Sequence, residues 1–179
     1  MKKFHRSVVI ADEPSGATLG AGLDRIDRKI LNILQQDNQI TNIALAEQVG
    51  ISPPPCFRRV KRLRDLGIIA KDVSLVDPFK VGHRLMVFVN VTLEKQREDL
   101  LAHFERKMLE QQEVMQCYFV SGDTDYLMVI HVSDMNHYNE FARRVFANEA
   151  NIKMFRSSFC LSRVKHDTHI YLTENESQK

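Results

Sequence analysis

Residues 51–67 read I-S-P-P-P-C-F-R-R-V-K-R-L-R-D-L-G, three consecutive prolines running straight into five Lys or Arg residues. The prolines start a helix here rather than break one. Ser52 is a favourable N-cap, and Pro53 takes the first helical position, where its fixed φ already suits the helix. Pro54 and Pro55 fall in the first turn, whose N–H groups have no partner inside a helix in any case. With 3.6 residues per turn, Cys56, Val60, Leu63 and Leu66 share one face with Phe57 at its edge, while Pro54, Arg58, Lys61 and Arg62 lie opposite. Gly67 then stops the helix.

Two further helices precede it. Ile26, Ile30, Ile33 and Leu34 form one apolar stripe on a helix that begins near Leu23 and ends near Gln36-Asp37-Asn38. A shorter helix follows, capped by Thr41 or Asn42, with Leu45, Ala46 and Val49 inward and Gly50 supplying the left-handed residue that ends it. Three short helices with a tight Gly-containing link between the second and third describe a helix-turn-helix. The stretch from Gly67 to Val76 can add a small β-ribbon, and Asp77-Pro78 marks the exit. Residues 23–76 are therefore one domain and 77–83 a linker.

Beyond the linker the period changes. Leu85, Val87, Val89, Val91 and Leu93 alternate as in a strand, and Met86 and Phe88 make its second face apolar too at one end. Both faces want cover: a helix layer on one, a second sheet from another copy of the chain on the other. A helix carrying Leu100, Leu101, Phe104 and Met108 leads to a strand from Met115 to Val120. The turn Ser121-Gly122-Asp123-Thr124-Asp125 leads to a strand from Tyr126 to Val132. A helix with Tyr138, Phe141, Ala142, Val145 and Phe146 inward and a strand from about Ile152 to Val164 complete the order β-α-β-β-α-β. The fold class expected is α+β: an N-terminal winged helix-turn-helix plus a C-terminal ferredoxin-like βαββαβ domain over 84–170, with 171–179 as a tail. Residues 1–22, with P-S-G-A-T-L-G-A-G, read as a flexible arm.

Composition narrows the function. Hydrophobic residues make up 44% and charged residues 27%, and no apolar run approaches the ~18 residues of a membrane span. The apolar stretch V-V-I-A at residues 8–11 is too short for a signal-peptide core, so a cytoplasmic protein is expected, nucleoid-associated if it binds DNA. Cys56, Cys117 and Cys160 are few and widely spaced, which suggests neither a disulfide framework nor a zinc site. Cys56 falls on the apolar helix face and reads as core, and His166 and His169 have no third ligand nearby in sequence. No nucleophile–base grouping or phosphate-cradling glycine loop appears, so neither an enzyme nor a cofactor is expected. Charge is uneven: residues 23–80 hold ten Lys or Arg against seven Asp or Glu, and residues 81–179 hold twelve against fourteen.

The five cations between Arg58 and Arg64 carry the functional reading. A helix with prolines at its exposed N-terminal end and basic residues beyond them suits the major groove of double-stranded DNA. Arg58 is the candidate base reader, because Arg can bond guanine O6 and N7 together. Arg59, Lys61, Arg62 and Arg64 are candidate phosphate contacts, supplying the salt-sensitive part of affinity. Ser52, Pro54 and Pro55 complete the expected DNA-facing surface.

These residues also resemble a known family. L-D-R-I-D-R-K-I-L-N-I-L-Q-Q-D, S-P-P-P-C-F-R-R-V-K-R-L, V-D-P-F-K-V-G and S-G-D-T-D-Y-L, in this order across about residues 23–170, look like the Lrp/AsnC transcriptional regulators. The resemblance implies a sheet-mediated homodimer, further assembly to an octamer, and a small amino-acid effector bound where dimers meet. It places the effector at the loop Gly122, Asp123, Thr124 and Asp125, with Phe119, Met135, Ser157 and Ser158 lining the pocket. The chemistry agrees, since glycine lets backbone N–H groups approach a carboxylate and an Asp can pair an α-ammonium. The stretches L-E-K-Q-R-E-D and E-V-M-Q-C-Y further resemble regulators of branched-chain keto-acid catabolism, which favours a branched-chain or other apolar effector. The rival reading is an architectural protein that bends or wraps DNA with little effector control.

Overall fold

The computed structural model describes residues 22–174, which the chain arranges as two compact units. The arm expected over residues 1–22 lies outside the described residues, apart from Gly22. One unit contains residues 22–74 together with 165–174, and the other contains 75–164, so the chain passes between them twice.

In the first unit, α1 (Arg25–Leu34), α2 (Asn42–Val49) and α3 (Pro53–Asp65) form the helix-turn-helix. A capping box starts α1: the Asp24 carboxylate accepts from the Asp27 N–H at 2.8 Å, and the Asp27 carboxylate accepts from the Asp24 N–H. Such caps are worth about 1 kcal/mol each. The Thr41 hydroxyl caps α2, and Gly50 ends it at φ 78°, a conformation that costs an L side chain strain. Pro53 opens α3 with Ser52 as its N-cap.

Ile30, Leu45, Ala46, Val49, Cys56, Val60 and Leu63 are buried together as this unit's core. Leu66 does not join them: it is the C-cap of α3 and remains exposed, as does Phe57. The expected ribbon after Gly67 is absent, because residues 70–76 run without any ladder partner within the described chain. A strand cannot exist without a neighbour to take its N–H and C=O groups.

The second unit follows the order β1 (Leu85–Leu93), α4 (Glu98–Leu109), β2 (Val114–Phe119), β3 (Tyr126–Val132), α5 (Met135–Val145), β4 (Ile152–Phe159). Its sheet has the order β2-β3-β1-β4 with every pair antiparallel. This is the ferredoxin-like arrangement. Strand β4 ends at Phe159, five residues before the expected Val164. Its partner β1 begins at Leu85, and past the Cys160 N–H bond to Met86 there is no strand left to pair with.

Strand alternation sends Val87, Val89, Val91, Tyr126, Met128 and Ile130 to the helix side, where Phe104, Met108, Phe141 and Val145 cover them. The opposite face carries Met86 and Phe88 of β1 and, by alternation from the same register, Leu127 and Val129 of β3, Tyr118 of β2 and Met154 of β4. On that face Tyr118, Met154 and Phe88 are exposed, whereas Met86 is buried.

Candidate nucleic-acid interface and effector loop

Helix α3 presents its cations in two different ways. Asp27 of α1, fully buried, accepts from Arg59 Nη1 at 2.9 Å and also from Arg62 Nη2. Arg59 bonds Asp24 as well, and Arg64 Nε bonds Asp72 at 3.1 Å. Burial pushes the Asp24 carboxyl up, but the Asp27 N–H and the Arg59 guanidinium outweigh it and leave it below the usual carboxylate value. The same contact with Asp24, opposed by burial and helped by Asp27, raises Arg59.

Three of the four expected phosphate anchors are therefore engaged inside the unit. Arg58 and Lys61 are exposed and have no ion pair among the described residues. Ser52, Pro54 and Pro55 stand at the start of the same helix, and the Ser52 hydroxyl makes no cap bond, so it is free for another partner. Asn42 donates to the Pro53 carbonyl at 2.9 Å, which fixes the start of α3 against α2. A cleft of about 450 Å³ is walled by Asp24, Asp27, Pro55, Arg58, Arg59 and Arg62, so four of the expected residues do come together.

Sequence reasoning missed Asp27, yet it left a signal. Asp27 lies three and four positions before Ile30 and Leu31, on the face that packs inward. A carboxylate buried there needs a cationic partner, and α3 supplies two, Arg59 and Arg62, each partly exposed.

The eight expected effector residues do not form one pocket within a chain. Phe119, Gly122, Asp123, Thr124 and Asp125 gather at one end of the sheet, where Gly122 takes φ 122°. Met135 follows the far end of β3, seven residues away along the strand, which is roughly 20 Å. Ser157 pairs with the inward Val89 and bonds the Tyr138 hydroxyl, so it faces the helices, whereas Ser158 pairs with Phe88 on the open face. Neighbouring strand residues point to opposite sides, so one ligand within one chain cannot meet both serines.

Asp125 has its carboxylate engaged within the chain. It is 5% exposed, and its carboxylate accepts from the Leu93 N–H at 2.6 Å and from the Gln96 side-chain amide. The Thr124 hydroxyl donates to the Val91 carbonyl at 2.7 Å. These bonds tie the turn to the end of β1. Asp123 is the exposed acid of the loop, and its carboxylate has no partner among the described residues. A separate cleft of about 370 Å³, walled by His83, Glu113, His137 and Arg144 among others, includes none of the eight.

Comparison with known proteins decides what this arrangement is. Residues 86–170 match the Lrp/AsnC ligand binding domain and residues 23–70 match the winged helix-turn-helix DNA-binding domain. The leucine-responsive regulatory protein of Escherichia coli is 35% identical over 153 residues, covering 86% of this chain and 93% of its own. The chain belongs to the Lrp/AsnC family. An HTH-type transcriptional regulator of Sinorhizobium fredii is 43% identical over 143 residues, covering 80% of this chain and 85% of its own. A transcriptional regulator of Neisseria meningitidis, solved as a complex with L-Met, superposes with a TM-score of 0.79 at 35% identity, covering 86% of this chain and 97% of its own.

As an Lrp/AsnC member the protein is a transcriptional regulator with a helix-turn-helix DNA-binding unit and an amino-acid-binding unit. Among the described residues no helix is long and apolar enough to cross a membrane, and no three His, Cys, Asp or Glu side chains group as a metal site.

Proposed function

We infer that the protein controls transcription of amino-acid metabolism genes by binding double-stranded DNA through α3, and that an apolar amino acid adjusts that binding. The observation that carries the DNA half is the pair of unneutralised cations, Arg58 and Lys61, on a proline-started helix whose other arginines are anchored internally. Arg58 reads a base edge, and Lys61 meets phosphate. Ser52, Pro54 and Pro55 face the groove. Arg59, Arg62 and Arg64 reach DNA only as far as their carboxylate partners allow.

The effector half is supported by the exposed Asp123 beside Gly122, a free acid and an open backbone of the kind an α-amino acid needs. Because Met135 and Ser158 lie away from that loop, a pocket that includes them takes groups from more than one chain. The open apolar sheet face supports a second copy as that partner, since several large apolar side chains on one face are rarely left in water. Paired copies then assemble further, toward an octamer. An L-Met complex of the Neisseria meningitidis relative supports an apolar amino acid as effector, branched-chain ones included.

Fluorescence anisotropy on promoter fragments, with and without L-methionine, L-leucine, L-isoleucine and L-valine, tests the reading. DNA binding that shifts with one of them is expected. Tight DNA binding indifferent to all of them would leave an architectural protein instead.

A further inference from the structure

The last described residues return to the DNA-binding unit and are gripped there by side-chain amides. Asn32 of α1 donates from Nδ2 to the Leu172 carbonyl at 2.8 Å and accepts at Oδ1 from the Leu172 N–H at 3.0 Å. One helical turn on, Gln35 donates to the Ile170 carbonyl at 3.0 Å and accepts from the Ile170 N–H at 2.8 Å. Each amide thus copies the two-bond pairing that a neighbouring β-strand would offer, at residues two apart.

Side chains reinforce the backbone contact. Leu172 packs against the core of Ile30, Leu31 and their neighbours, and Glu174 reaches Arg25 and Lys29 at 3.8 and 3.7 Å. Asn32 lies on α1 and Gln35 is its C-cap, so neither is on the helix that presents Arg58 and Lys61. This segment follows β4 in sequence after Cys160 and the exposed residues Leu161–Val164, so two stretches of chain join the DNA-binding unit to the other unit.

We propose that residues 169–174 are a strap: an extended segment docked on Asn32 of α1 and its C-cap Gln35 that ties the DNA-binding unit to β4 and so transmits effector occupancy to DNA affinity. The transmitting role rests on the effector reading above, whereas the docking does not. Docking is intramolecular, with an effective concentration on the order of millimolar, so a modest contact suffices to hold the strap yet remains reversible. A ligand that favours one placement of β4 favours the strap docked or undocked, and only such a difference shifts an equilibrium.

The test compares the full chain with Asn32→Ala/Gln35→Ala and with a chain ending at Asp167. Amide exchange by NMR should show Ile170 and Leu172 protected and Tyr171 not, with protection lost in the double variant. Isothermal titration with L-methionine or L-leucine should show effector binding kept in all three proteins. The effector-induced change in promoter affinity, of the order of 5- to 150-fold for such couplings, should fall toward onefold in both variants. Unprotected Ile170 and Leu172 in the full chain overturn the docking. An undiminished effector response in the double variant overturns the transmission. A full chain that binds DNA but takes up no amino acid defeats the effector reading, and the transmission with it, while exchange still decides the docking.

Discussion

Asp27 on α1 accepts hydrogen bonds from both Arg59 and Arg62 of α3 although none of its own surface is exposed. Two half-exposed guanidinium groups thereby neutralise one buried carboxylate, and α3 is fixed to α1. A buried charge stripped of its partners costs ~3–5 kcal/mol, whereas one that keeps a partner loses much less. Arg59→Ala and Arg62→Ala should therefore each be mild in urea denaturation followed by circular dichroism. The double variant should lose ~3–5 kcal/mol, exceeding the sum of the singles by about 0.5–3 kcal/mol. Additive losses would mean that Asp27 does not share the two arginines.

The exposed cations should behave differently. Arg58→Ala is expected to leave stability unchanged and to cost ~1–3 kcal/mol of discrimination at one base pair. Lys61→Ala should weaken all DNA alike and lower the salt slope by about one. Anisotropy titrations at several salt concentrations, on a promoter fragment and on a scrambled one, separate the two. Arg62→Ala should move the slope less than Lys61→Ala does, because its charge is spent on Asp27.

Within the loop, Asp123 and Asp125 should part company. Asp125→Ala leaves the Leu93 N–H without its acceptor, a loss of about 1–3 kcal/mol for a buried donor. It should lower the melting temperature with or without effector. Asp123→Ala should leave melting unchanged and weaken amino-acid binding in calorimetry. Equal melting temperatures for the two variants would contradict the structural role of Asp125.

Cys117 is expected to be inert at neutral pH. Burial, with Glu105 adding to it, pushes its thiol up to about 12 from the usual 9.0. At pH 8 the thiolate fraction is then roughly a thousandfold below that of an unfolded chain. Cys56 is also raised by burial, against the opposing charge of Arg59. Native protein mixed with a thiol reagent at pH 8 should leave both unmodified, and denaturant should release them. A raised folded value means the contribution of the neutral Cys117 thiol is intact below about 9 and is lost as pH rises through about 12.

Much of the fold was legible because it rests on local rules. The proline start at Ser52–Pro55, the glycine stop at Gly50 and the alternation from Leu85 to Leu93 each follow from a few neighbouring residues, and the structure shows α2, α3 and β1 there. The order β-α-β-β-α-β likewise comes from the change of period along the chain. Less of the site could be read this way. Five adjacent-looking cations carry no mark of which ones are already neutralised, and Ser157 and Ser158 look equivalent until a register assigns them to opposite faces.

By itself, the sequence determined the three N-terminal helices, the β-α-β-β-α-β order of the second unit, where α3 begins, and to which family the motifs belong, but not the absence of a ribbon after Gly67 or the end of β4. These depend on backbone sterics and side-chain periodicity, which act over a few residues. Only the tertiary structure decided that Arg59 and Arg62 answer Asp27, that Asp125 holds the end of β1, and that Leu172 returns to Asn32 from 140 positions away in the chain. Such pairings link residues that no local period relates. They form because a buried charge or amide must find its partner wherever folding brings one within reach.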